Sequence, residues 1–174
     1  GYSFNSLYEL LIFFRDADLE TFVTIQDKLK NSSKLKHFLM KKLSSKELGL
    51  IRKIDYYAFW RDMTGNMNEN VEKIIQDKFL KIALAPINYR DYNRLDYRVT
   101  LLQSMSKHKL MNEKLFFKII QSSKSNLTYL NRVINSLMTH VKYNQRGSEN
   151  IHKLLDEILL NSKIGDMWHL NQIP

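Results

Sequence analysis

Apolar residues recur three and four positions apart along nearly the whole chain, which is the period of a helix with one buried face. The clearest run is Val71, Ile74, Ile75, Phe79, Ile82 and Ala83. Asn68 stands before it as an N-cap, and Pro86 stands after it as a stop. Other polar residues divide the remaining stripes. Ser6 and Glu9 predict a first helix to about Arg15. A second runs from about Asp18 to Lys30, with Phe22, Ile25 and Leu29 inward. A third follows Ser32–Ser33 and spans Lys34 to Leu43. Ser44 and Glu47 have the spacing of a capping box, so a fourth helix is expected from there to Asp62, closed by Thr64-Gly65-Asn66. Further helices are expected at about 69–85, 89–107, 113–123, 127–143 and 148–162. No strand-like alternation competes. The expected fold is all-α: about nine helices as antiparallel hairpins, in a short α-solenoid or irregular bundle. One domain is expected over 1–174, since a chain of 174 residues can bury about 70% of its unfolded surface.

Composition narrows the chemistry. There is no Cys, which excludes disulfides, thiolate metal sites and a cysteine nucleophile. Five scattered Gly form no phosphate-cradling loop. His37, His108, His140, His152 and His169 include no H-x-x-x-H pair, so no helix face offers two nitrogens to one metal. The carboxylate pairs Glu69 with Glu72 and Asp156 with Glu157 read as first-turn and solvent-side helix charges. The expectation is therefore no enzyme, no metal, no cofactor and no small-molecule substrate. Leu7–Phe14 is too short and too charged to span a membrane, and no other run approaches 20 apolar residues, so no membrane insertion is expected.

Charge changes the picture further. The formal net charge is +9, and it is unevenly placed. Residues 1–27 hold Glu9, Asp16, Asp18, Glu20 and Asp27 against Arg15, a net of −4. Residues 28–53 hold Lys28, Lys30, Lys34, Lys36, Lys41, Lys42, Lys46, Arg52 and Lys53 against Glu47, a net of +8. Such a cluster repels itself unless anions screen it, and phosphates are natural partners because each contact releases counterions. Asn, Lys, Ile and Tyr make up a third of the chain, so part of this charge also follows an AT-rich coding bias.

Two further basic stretches fit RNA. Arg90, Arg94 and Arg98 are spaced i, i+4, i+8 and would form one ridge on a helix starting near Tyr89. From Lys114 to Ser148 there is no acid, and Arg132 and Arg146 stand among Tyr129 and Tyr143, a mixture suited to stacked bases and held phosphates. The crowded aromatics Tyr57 and Trp60, with Trp168 near the C-terminus, are candidate protein contacts, because aromatics are enriched at interface hot spots.

The helices also show a loose internal repeat. Leu101–Lys107 aligns with Ile134–His140 at an offset of 33, and Leu115–Ile120 with Ile151–Asp156 at an offset of 36. This gives hairpin repeats at 88–124 and 125–163. The Leu-Leu-x-Ser-Met-Ser-Lys and Leu-Phe-Phe-Lys-Ile-Ile patterns resemble the heptatricopeptide-type hairpins of organellar RNA-associated proteins, the FAST-kinase-like and RAP-domain proteins. The resemblance covers roughly Asn88 to Lys163, and no RAP domain accompanies it. It implies RNA metabolism or a ribosome-associated ribonucleoprotein, in the mitochondrial matrix. The expected function is thus a non-catalytic basic helical-repeat protein that binds RNA or serves in a mitochondrial ribonucleoprotein. The alternative is a helical protein–protein interaction scaffold or assembly subunit.

Overall fold

The computed structural model describes residues 4–86, 88, 90–123, 126–143, 153 and 156. Among these residues it is all-helical, with eight helices. They are α1 (Phe4–Ala17), α2 (Leu19–Leu29), α3 (Ser33–Ser44), α4 (Leu50–Thr64), α5 (Glu69–Leu84), α6 (Tyr92–Lys107), α7 (Glu113–Ser123) and α8 (Leu127–Tyr143). Of the helix expected at 148–162 the described residues include Lys153 and Asp156, and nearly half of the second repeat lies outside the described residues.

Short polar side chains start most of these helices. Asp18 accepts from the Thr21 amide, Ser32 from Leu35, Asn68 from Val71, Asp91 from Arg94, Asn112 from Leu115 and Asn126 from Tyr129. Each satisfies a first-turn N–H that has no partner within its own helix. The amide hydrogen bond from Thr21, reinforced by the Thr21 hydroxyl, holds the Asp18 carboxyl below its ordinary pKa. A depressed pKa stabilises the fold above the unfolded value, near pH 4, and that stabilisation is lost as pH falls through the folded value. The protection of the Thr21 amide against exchange, relative to an unfolded chain at the same pH, should therefore fall on acidification below about pH 4. Asp18→Ser should remove that acid step while keeping the cap. An acid step of unchanged size in Asp18→Ser would assign it to another group.

Three expected starts are displaced: α1 begins at Phe4, so Ser6 lies within it and does not cap it. Ser44 and Glu47 do not form a capping box. Ser44 ends α3, with its hydroxyl bonded back to the Lys41 carbonyl, and α4 begins at Leu50 behind Gly49. The apolar stripe Leu35-Leu39-Leu43 carries α3 to its end at Ser44, and residues 45–49 separate it from α4. The sixth helix starts at Tyr92, not Tyr89, because Asp91 takes the N-cap role.

The chain divides into two compact units, Gly1–Val71 and Glu72–Pro174. In the first, α4 is the hub: α2 and α3 pack against it, and α1 packs against α2. Leu39, Ile54, Tyr57 and Ala58 are buried there. Gly65 closes α4 at φ 68°, the left-handed conformation that glycine adopts freely. A Cβ at that position would stand 3.0 Å from the Gln26 side chain, whose amide donates to the Asp62 carbonyl.

In the second unit α6 and α7 both pack on α8, and the buried residues include Phe79, Leu102, Met105, Phe116, Ile120, Leu130 and Val133. The end of α6 is a Schellman turn: the Leu110 amide bonds the Met105 carbonyl and the Lys109 amide bonds that of Ser106. Leu110 and Met105 are both buried, supplying the apolar contact that goes with this turn. Its left-handed position is filled by Lys109 at φ 58°, where glycine is usual. Relief of about 1–2 kcal/mol of left-handed strain, set against about 0.5–1 kcal/mol of glycine chain entropy, should make Lys109→Gly stabilising by roughly 0.5 kcal/mol. A urea midpoint that falls would contradict this.

Candidate nucleic-acid interface

The basic segment 28–53 is split between the end of α2, all of α3, the loop after it and the first turn of α4. Lys28, Lys30, Lys34, Lys36, Lys41 and Lys46 are exposed. On α3, Leu35 and Leu39 turn inward, and the outward face carries Lys34, His37 and Lys41 at i, i+3, i+7, flanked by Lys36 and Met40. Residues three and four apart are neighbours on a helix, so the three form one ridge. The seven steps of 1.5 Å from Lys34 to Lys41 make it about 10 Å long. No acid occurs from Lys28 to Lys46. Among the described residues, none of Lys34, Lys36 and Lys41 is held in an ion pair.

The other members of the segment are less available. Lys42 is half-buried, with Nζ 5.6 Å from the Phe38 ring centroid and 5.1 Å from that of Tyr56. Those rings meet edge to face at 5.7 Å. The ammonium lies against aromatic faces, a cation–π arrangement that ties α3 to α4. Lys53 is half-buried, and Arg52 is exposed but engaged by a neighbour. His37, which sequence reading left unassigned, joins the ridge by its i+3 spacing from Lys34.

The expected arginine ridge on α6 does not form. Arg98 is 8% exposed, and its guanidinium donates through both terminal nitrogens to the carbonyls of Ala83 and Ala85. It closes the C-terminus of α5, where the backbone has carbonyls to satisfy and the helix dipole favours a cation. Arg94 is exposed and paired with Asp91 at 3.2 Å, while Arg90 lies exposed in the turn before α6. Arg132 pairs with Asp96 at 2.6 Å. Tyr129 is buried rather than offered to a base. Arg146 lies outside the described residues.

The expected protein contacts Tyr57 and Trp60 are corrected in the same way. Both are buried in the first unit, with ring centroids 6.0 Å apart, and the Tyr57 hydroxyl accepts from the Asn68 amide. A helix with neighbours on two sides buries both faces, and α4 is such a helix. Trp168 lies outside the described residues.

Among the described residues, no three His, Asp or Glu side chains gather to hold a metal, and no helix is long and apolar enough to cross a membrane. A notch lined by Leu11, Ile12, Arg15, Phe22, Asp62 and Met63 has a volume of about 10 Å³, room for roughly one water. No family model, curated protein or solved structure matches the chain.

Proposed function

We propose that this chain is a non-catalytic RNA-associated protein that grips the phosphate backbone through the outer face of α3. The observation that carries the reading is the exposed ridge of Lys34, His37 and Lys41 with Lys36 beside it, in a segment without acids from 28 to 46. Lysine ammoniums suit this task as compact point charges, and contact with phosphate would screen their mutual repulsion. Such contacts fix no base sequence, so the ridge supplies affinity without selectivity. The likeness of the C-terminal half to organellar hairpin-repeat proteins supports placing the chain in a mitochondrial ribonucleoprotein. Titrating the purified protein into fluorescent single-stranded RNA at low and at physiological salt tests the reading. Binding that weakens steeply with salt is expected, and no binding at low salt would end the proposal.

A further inference from the structure

The first unit carries a second surface of opposite character. On the α1–α2 hairpin, Leu10 is 63% exposed, Phe13 68%, Leu19 62% and Val23 43%. Single exposed apolar residues need no explanation, but four large ones on one short hairpin do. They stand among carboxylates. Glu9 and Phe13 are four apart, as are Val23 and Asp27, while Asp16 follows Phe13 by three and Glu20 precedes Val23 by three. Residues at these spacings share a face. All four of these acids are exposed.

We infer that the α1–α2 hairpin is a docking surface for a basic amphipathic helix of a partner protein. The i, i+3 pair on α1 and the i, i+4 pair on α2 offer the ridges into which the apolar stripe of another helix packs. The net charge of −4 over residues 1–27 selects lysine or arginine at the flanks of that stripe. The same charge opposes an anionic lipid surface. A second copy offers a basic helix in α3, but Leu35 and Leu39 of α3 face inward, with Leu39 buried, so α3 has no apolar stripe to give. This inference is independent of RNA binding and uses different residues.

Two synthetic helical peptides of about five turns test it. Both carry leucines at i, i+3, i+4, i+7; one is flanked by lysines and the other by glutamates. The full chain should bind the lysine-flanked peptide at least about 10-fold more tightly than the other. Phe13→Asp should weaken that binding by about 10-fold or more, the scale of an interface anchor, with helical circular dichroism and RNA binding unchanged. Glu20→Lys with Asp27→Lys leaves all four apolar residues in place and should erase the preference between peptides. Equal binding of the two peptides would overturn the inference, as would an unaltered Phe13→Asp. Sedimentation showing a wild-type dimer that Phe13→Asp dissociates would also overturn it, by assigning the surface to a second copy.

Discussion

Replacing Arg98 by Met should destabilise the second unit by about 3 kcal/mol, because hydrogen bonds to a charged donor contribute roughly 1.5–3 kcal/mol each and two are lost. The guanidinium is buried and reaches the Ala83 and Ala85 carbonyls, so its removal leaves the last turn of α5 without those donors. Part of this loss is offset by no longer burying a charge, which is why the sum falls below the upper limit of two such bonds. Arg98→Lys keeps the charge but not the planar fork, and a single ammonium does not span two carbonyls in the same geometry. It should recover at most about half of the loss. Chemical denaturation gives the number, and amide exchange in the last turn of α5 gives the place. A loss under about 0.5 kcal/mol, the range of an ordinary surface substitution, would mean that the clamp does not hold α5.

The second large effect falls on binding. Reversing Lys34, Lys36 and Lys41 to Glu should weaken RNA binding by about 100-fold or more, taking roughly 1 kcal/mol per lysine near a polyanionic surface and 1.4 kcal/mol per tenfold. Stability should change by less than about 0.5 kcal/mol, since the three side chains are exposed, and relief of self-repulsion acts in the favourable direction. Arg94→Gln is the control. Its partner Asp91 already offsets its charge, so the affinity should shift by no more than about twofold. If Arg94→Gln and the triple reversal weaken binding alike, the effect belongs to net charge and α3 is not the site.

Much of the fold is legible because local rules and tertiary packing agree in it. Asp18, Ser32, Asn68, Asn112 and Asn126 sit where a short polar side chain meets the start of an apolar stripe, and each caps a helix. Ser44 shows the limit of that reasoning. Its spacing to Glu47 satisfies the capping-box pattern, but Ser44 is the last residue of α3 and its hydroxyl donates to the Lys41 carbonyl. The ridge on α3 is legible for a related reason: with Leu35 and Leu39 inward, Lys34, Lys36 and Lys41 of this acid-free stretch turn outward, while Lys42 lies against Phe38 and Tyr56.

The burial of Arg98 on α6 and of Tyr57 and Trp60 on α4 depends on elements distant in sequence. Nothing near Arg98 announces that the end of α5 needs a donor. Nothing near Trp60 states how many neighbours α4 has. The exposed apolar face of α1 has a signal in the sequence. Leu10, Leu11, Ile12, Phe13 and Phe14 are too many consecutive apolar residues for one helix face to bury. Some of them had to stay exposed or be covered by a partner.

The phosphate grip of α3 is tested most directly by the salt dependence of RNA binding. For single strands, the logarithm of the affinity falls with the logarithm of salt by about 0.7 per phosphate neutralised. Comparing the wild-type chain with Lys34→Gln/Lys36→Gln/Lys41→Gln over one salt series measures the contacts that these lysines make. The slope should become shallower by about 2, three contacts at that increment. An unchanged slope, whatever the affinity, would place the bound phosphates elsewhere and contradict the account.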